Sequence, residues 1–598
     1  MPTRKRQLNN FVDGSKPPPR RHYMKSEGRW SVTAQEPQYT EDSLAYAPLF
    51  PQGAAAGSEG ESSESEEEVG AQQLDEVEIK GRSTGKMGIM QQLRGDFRGI
   101  FLLLFLYLLQ GIPLGLTASV PLILQSRHVS YHDQAKFSFA YWPFSLKLLW
   151  APIVDSVFSS WIGRRKSWLV PTQYLIGIFM FVLSHYVTSM LGDDETTGQP
   201  DSHPSVGFLT FIFFMFNFLA ATQDIAVDGW ALTMLSKRNV GHASTCNAVG
   251  QTAGWFIGNV IFLALESPEV CNKYFRSTPL KRGCVTMAEF VYFWAIVFVV
   301  STTLLLLFKK EVDRRSDDPD AADDLDVVET YQLVWKLLRL KPMLILIGIH
   351  LTSRIGFAAP DNITSLKLVE KGVPKEKLAS LAVPLVPLQI ILPWFLGRWT
   401  AGPRPLNLYL KAYPYRLLLG MLFPVVVWWT PAWAVSPGNY PTSYYALIVI
   451  VYCVHQVTVY CIFVATMSFA AQVSDPLVGG TYMTLINTVT NLGGNWPATL
   501  VLSVVDDLTW KTCHVRPNGT ASVVEGAGKS FACTDEQACT TAGGQCVTDF
   551  DGYYLLCVVC TVLGFIWWLC NRARVNRLQD VDKREWTARW AEGRISPA

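Results

Sequence analysis

The chain has 598 residues, 49% hydrophobic and 12% aromatic, and only 17% charged; a soluble protein carries about 25% charged residues, so an ordinary soluble enzyme or binding domain is excluded. The formal net charge of +1 argues neither for nor against nucleic acid, and no nucleic-acid partner is expected. Charges gather at the two ends and in short loops, leaving a dozen windows near the ~20 apolar residues that cross a bilayer.

Residues 1–96 are polar, with "KPPPRR" and the acidic run "EGESSESEEE". Such composition buries too little apolar surface to fold alone and reads as a disordered cytosolic tail. "GRSTGK" (81–86) lacks the spacing and preceding strand of a phosphate loop. Spans are expected near 97–123, 135–157, 168–190, 205–235, 244–265 and 287–308, then 342–360, 377–397, 413–434, 443–470, 480–505 and 550–570. The expectation is an all-α membrane protein of twelve transmembrane helices in two six-helix bundles, 97–308 and 342–570. A hydrophilic linker, 309–341, separates them and ends in the amphipathic "YQLVWKLLRL", suited to lying on membrane lipid. A loop at 506–549 is cysteine-rich, and 571–598 reads as a second cytosolic tail.

Pro143 and Pro152 in the second span, followed by Gly163-Arg164, are echoed by Pro384 and Pro393 in the eighth, followed by Gly397-Arg398. Transporters built from related halves show such internal symmetry. Loops after even-numbered spans carry Arg164, Arg165, Lys166, Lys237, Arg238, Lys309, Lys310, Arg314, Arg315, Arg398, Arg404, Lys411 and Arg416. The positive-inside rule places these in the cytosol, with both termini, although Lys273, Arg276, Lys281 and Arg282 lie on the opposite side. Cys271, Cys284, Cys513, Cys533, Cys539 and Cys546 all fall on that opposite side, where disulfides persist; spacing does not give their pairing. The sequon at Asn518 shares the large loop with four of them, and a second at Asn362 lies close to a span.

Asp224 and Asp228 sit one helical turn apart in the fourth span, on one helix face. A carboxylate there costs about 2.5–3.5 kcal/mol on insertion scales. The pair suggests a proton-coupling site, or else an ion pair with Lys147 of the second span. Lys147 and Arg354, in opposite halves, suit an anion gripped from both sides; the alternative is that they neutralise the two aspartates. His455 is a second proton-coupling candidate, against a neutral histidine between helices. "NTVTNLGGNWPATL" (487–500) is expected to break the eleventh span, whereas the glycines of "GQTAGWFIGN" (250–259) fit close helix packing. "APIVDSVFSSWIGRRKS" places Asp155 ahead of Gly163, Arg164 and Arg165. It partly resembles the gating loop of the major facilitator superfamily, with extra residues between acid and glycine.

"LLLFLYLLQGIPLGL" (102–116), "YWPFSLKLLWAP" (141–152), "GRRKSWLVPTQY" (163–174), "FLAATQDIAVDGWALTMLS" (218–236), "VSDPLVGGTYMTLINTVTNLGGNWP" (473–497) and "FDGYY" (550–554) resemble the acetyl-coenzyme A transporter family, from about residue 97 to 575. "TQDIAVDGW" is also similar to bacterial muropeptide permeases. The resemblance implies a major facilitator fold in the endoplasmic reticulum membrane. It also implies import of cytosolic acetyl-CoA as transported substrate for lumenal acetylation, with no cofactor, no metal and no catalytic residue. Such a polyanion with an aromatic base requires cations, for which Lys147 and Arg354 are candidates, and stacking surfaces, for which Trp150, Trp230 and Trp496 are. Gln223 and Asn491 are further candidates for contacting it. Carriage of another anion, muropeptide-like or thiol-peptide, and a membrane acetyltransferase with His455 as base are the alternatives. Oligomeric state is not legible in the sequence.

Overall fold

A computed structural model describes residues 95–159, 161–192, 203–236, 242–311, 326–400, 402–436, 438–474, 479–515, 530–533, 539 and 544–587. Most of the 1–96 tail, the middle of the 309–341 linker, Lys237, Arg238 and Asn518 lie outside these residues.

Ten helices among the described residues are long and apolar enough to cross a membrane. In the first half these are Phe97–Ser126, Lys166–Leu191, Val206–Met234, Thr245–Glu266 and Met287–Phe308. In the second half they are Lys341–Glu370, Lys375–Thr400, Leu406–Trp433, Thr442–Val473 and Gly552–Leu578. Two further segments complete two sets of six: the broken stretch 131–156 and the helix Gly479–Val505. The architecture is the expected all-α arrangement of twelve spans in two sets of six. One small antiparallel sheet supplements it, β1 (Trp510–Val515), β2 (Ser530–Ala532) and β3 (Gly544–Phe550), in the order β2-β1-β3.

The second span consists of short pieces: Tyr131–Ser138, Trp142–Leu146 and Ala151–Ser156, joined by 3-10 turns at Phe139–Tyr141 and Lys147–Leu149. Pro143 and Pro152 each fall at the start of a short helix, where a missing N–H does least harm. The break places Lys147 at a joint between pieces. The eighth span does not mirror it: Ala382–Thr400 stays one helix with Pro387 and Pro393 inside. Nor do the glycines and Pro497 break the eleventh span, which is helical from Gly479 to Val505. Instead Gly493 lets it meet the seventh span, where an added Cβ would lie 2.1 Å from the His350 carbonyl oxygen.

The first and fifth spans approach still more closely. A Cβ on Gly254 would lie 2.1 Å from the Leu108 carbonyl oxygen, and one on Gly111 2.3 Å from that of Gln251. Small residues are what permit such backbone approach between membrane helices. The seventh span runs ten residues past its expected end, to Glu370, with a 3-10 turn at Arg354–Phe357. Asn362 is therefore inside a helix, its amide donating to the Ala358 carbonyl. The ninth begins at Leu406, so Arg416 is a buried residue of a span and not a loop cation.

The linker helix Val327–Leu338 starts with a reciprocal cap between Asp326 and Glu329; it buries Thr330, Val334 and Leu337 and exposes Val328 and Trp335. The twelfth span continues to Leu578, beyond the expected end at 570. Trp586 then packs fully buried against Phe469, so the first part of the expected tail belongs to the core.

All three disulfides, Cys271–Cys284, Cys513–Cys539 and Cys533–Cys546, lie at one end of the bundles. That end is called the disulfide face below.

Candidate functional site

Three polar constellations interrupt the apolar interior. The first lies within the first bundle. Lys147 Nζ is 2.5 Å from Asp224 Oδ2, with both side chains buried. Gln110 Nε2 donates to the other Asp224 oxygen at 2.6 Å. Asp228 has no cation partner among the described residues; it accepts from the Tyr107 hydroxyl at 2.7 Å and Asn247 Nδ2 at 3.1 Å. The two aspartates share a helix face, but the structure divides their surroundings: one is a buried ion pair, the other a carboxylate held by neutral donors. Gln223 is fully buried and donates to the Leu106 carbonyl. Trp230 is core, whereas Trp150 is half-buried, tilted against the Phe218 ring, and donates its indole N–H to Thr222.

The second lies in the second bundle. Arg354, Arg416, His350, Tyr409, Gln389 and Gln456 help line a cavity of about 230 Å³. Arg354 makes no hydrogen bond or ion pair among the described residues. Its guanidinium lies beside Gly494, where an added Cβ would come within 2.9 Å of Nη1. Arg416 donates through Nη2 to Asp361 at 2.5 Å and stacks 4.1 Å over the Phe357 ring, while its Nε is buried without a partner among the described residues. His455 Nε2 lies 3.6 Å from the other Asp361 oxygen. Arg354 thus pairs with neither first-bundle aspartate among the described residues, and Lys147 is not among the residues that line its cavity. Trp496 spends its indole N–H on the Leu351 carbonyl, and Asn491 is half-buried on the same helix.

The third constellation joins the bundles on the disulfide face. The Tyr131 hydroxyl donates to Glu370 at 2.6 Å. Lys367, buried, bridges Glu370 at 3.0 Å and Asp551 at 2.9 Å. The His132 backbone N–H donates to Asp506, Ser138 meets Thr499, and Lys375 pairs with Glu266. Deeper in, Asn495 donates to Ser145 Oγ and the Tyr141 carbonyl.

At the opposite end Asp155 pairs with Arg165, and Arg164 Nε donates to the Asp155 carbonyl. Gly163 has φ +109°, a left-handed conformation that favours glycine. The extra residues therefore do not separate acid from arginine in space. Glu311, at the start of the linker, accepts from the backbone N–H groups of Arg165 and Lys166, so the linker is tied to the first turn of the third span.

Arg416, Asp361 and the Tyr131–Glu370–Lys367–Asp551 cluster were not among the residues singled out from sequence. Arg416 looked like a loop cation, and Asp361 and Glu370 fell just beyond the expected end of the seventh span. The available signal was the continued helical pattern of "NITSLKLVE" after Pro360.

The model of a family described as acetyl-coenzyme A transporter 1 matches residues 99–409 and 406–588. An uncharacterized protein of Schizosaccharomyces pombe is 34% identical over 463 residues, covering 77% of this chain and 83% of that protein. An uncharacterized membrane protein of Saccharomyces cerevisiae is 32% identical over 555 residues, covering 82% and 97%. Among solved structures, a bacterial homolog of the human lysosomal transporter Spinster, in an inward-facing and unoccupied conformation, is 11% identical. It covers 83% of this chain and 98% of its own, with a TM-score of 0.48.

Proposed function

The chain belongs to the acetyl-coenzyme A transporter family, and from that premise we propose that it carries acetyl-CoA from the cytosol into the endoplasmic reticulum lumen by alternating access, supplying lumenal acetylation. The observation that carries the reading is the cavity of the second bundle, where Arg354 makes no hydrogen bond or ion pair among the described residues and lies beside Arg416. A cation within a membrane span is expensive and marks a substrate or ion pathway by default. Phosphate groups favour arginine because its planar fork donates two parallel hydrogen bonds.

The disulfide face is assigned to the lumen, since disulfides persist there and not in the cytosol. The clamp of Tyr131, Glu370 and their neighbours then closes the lumenal side, so this state receives cargo from the cytosol. Opening the clamp while the opposite ends approach would release it, as in carriers whose halves rock about a midplane site. Asp228 is the better proton-coupling candidate of the two aspartates, because Lys147 already holds Asp224.

Purified protein in sealed liposomes, given acetyl-CoA labelled separately on the acetyl group and the adenine, tests the proposal. Carriage delivers both labels in equal amounts. Entry of the acetyl label alone would instead identify an acetyltransferase, and entry of neither would overturn the substrate.

A further inference from the structure

We propose that the Arg354–Arg416 cavity is a subsite for a terminal phosphate monoester, the 3′-phosphate of the coenzyme, and that Asp361 holds Arg416 in reserve until that dianion arrives. The proposal rests on the acetyl-CoA reading and deepens it.

The cavity is small. At about 230 Å³ it falls below the ~300–1,000 Å³ of pockets that enclose a whole drug-sized ligand. It fits a protruding group, not the entire coenzyme. Its charged lining is two arginines: Arg354, which makes no hydrogen bond or ion pair among the described residues, and Arg416, whose Nε has no partner among them; hydroxyls and the amides of Gln389 and Gln456 add further donors. Asp361, the carboxylate nearest these arginines, is bound to Arg416 and faces His455.

A phosphate monoester carries a charge of about −1.5 to −2 near neutral pH and three strong acceptor oxygens. Two guanidinium groups match that charge and number of acceptors. Each pyrophosphate phosphorus offers only two non-bridging oxygens, and its chain must leave the site in two directions. Acetyl-CoA has one monoester, so the cavity selects that end of the molecule.

The remaining geometry supports this role. Gly494 leaves the space that Arg354 occupies, since a Cβ there would press on Nη1. Phe357 supports Arg416 from below by a cation–π contact, which holds the guanidinium plane while its Asp361 bond is exchanged for phosphate. The Asp361 bond also spares the empty carrier a second uncompensated charge, whose burial would destabilise it.

The test uses two ligand pairs, each with and without a phosphate monoester. In liposomes, the KM for acetyl-CoA is compared with that for 3′-dephospho-acetyl-CoA, in the wild type, Arg354→Gln and Arg354→Lys. Loss of a charge-assisted hydrogen-bonding partner is expected to raise the acetyl-CoA KM about 10- to 100-fold in Arg354→Gln. The dephospho KM should change by no more than about twofold in that variant, and Arg354→Lys should recover only part of the loss, because an ammonium restores the charge but not the two-pronged fork. An equal rise for both substrates would overturn the proposal. In parallel, thermal unfolding of the detergent-purified protein is measured with adenosine 3′,5′-bisphosphate and with the methyl ester of AMP, whose phosphate is a diester and which has no phosphate monoester. Only the bisphosphate should raise Tm, and Arg354→Gln should abolish the rise; equal shifts would also overturn the subsite. If the bisphosphate stabilises but no acetyl-CoA enters liposomes, the subsite stands and the transport reading fails. If acetyl-CoA and its dephospho form enter with the same KM, transport stands and the subsite fails.

Discussion

The buried pair Lys147–Asp224 gives the sharpest energetic prediction. Its side chains are only 4% and 6% exposed. At an effective dielectric of ~20, charges ~4 Å apart attract by about 4 kcal/mol, and removing one member of a buried pair destabilises by about 3–5 kcal/mol because the survivor is left uncompensated. Lys147→Met leaves Asp224 alone beside Asp228; Asp224→Leu leaves an ammonium at the joint of the second span and a Gln110 amide without its acceptor. Each should lose stability on that scale. The double substitution removes both charges and should recover at least half of the summed loss, since apolar replacement of a buried pair is often neutral. The assay is a double-mutant cycle on equilibrium unfolding in mixed micelles. If Lys147 is structural, the double variant should also keep the wild-type KM for acetyl-CoA. Additive losses with no coupling, or a KM raised in the stable double variant, would refute the reasoning and return Lys147 to the cargo path.

Other outcomes follow from packing and chemistry. Gly254→Val should abolish folded protein, because its Cβ would lie 2.1 Å from the Leu108 oxygen, whereas Gly348→Ala, with nothing within 4 Å, should match or exceed wild type by up to about 1 kcal/mol from helix propensity; detergent-resistant monodispersity and Tm report both. Peptide mapping without reduction should recover Cys271–Cys284, Cys513–Cys539 and Cys533–Cys546, and a different set of pairs would displace this account of the disulfide face. Burial holds the Asp506 carboxyl above its ordinary range. Its contribution to the closed clamp is therefore full below the ordinary carboxylate value and lost as pH rises through the raised one. Spin-label distances across the clamp should show more closed population on acidification, and Asp506→Asn should flatten that component.

Hydropathy revealed the two sets of six spans because each window is long and nearly charge-free, and cysteine placement revealed which loops share a face. Polar residues inside the spans were harder to place. Lys147 and Asp224 stood out because their surroundings are wholly apolar, but only coordinates show that they pair with each other. Arg416 and Asp361 sit near span ends in sequence, where a hydropathy window cannot distinguish a loop charge from a buried one; the helices running past those ends decide it. Proline and glycine were ambiguous for a similar reason. Pro143 breaks the second span because it begins a new helical piece, whereas Pro497 and Gly493 are accommodated in a continuous helix whose neighbour comes close enough to use the missing Cβ.

Covalent closure of the clamp tests alternating access most directly. Tyr131 and Glu370 are both changed to cysteine in a background without the free cysteines Cys246, Cys453, Cys461, Cys557, Cys560 and Cys570, and a short bifunctional thiol linker joins the pair across the bundles. Unlinked protein should accumulate acetyl-CoA in liposomes and linked protein should not, while adenosine 3′,5′-bisphosphate still binds the linked form. Linked protein that transports at the unlinked rate would contradict the account, because the passage could then not depend on parting the halves at the disulfide face.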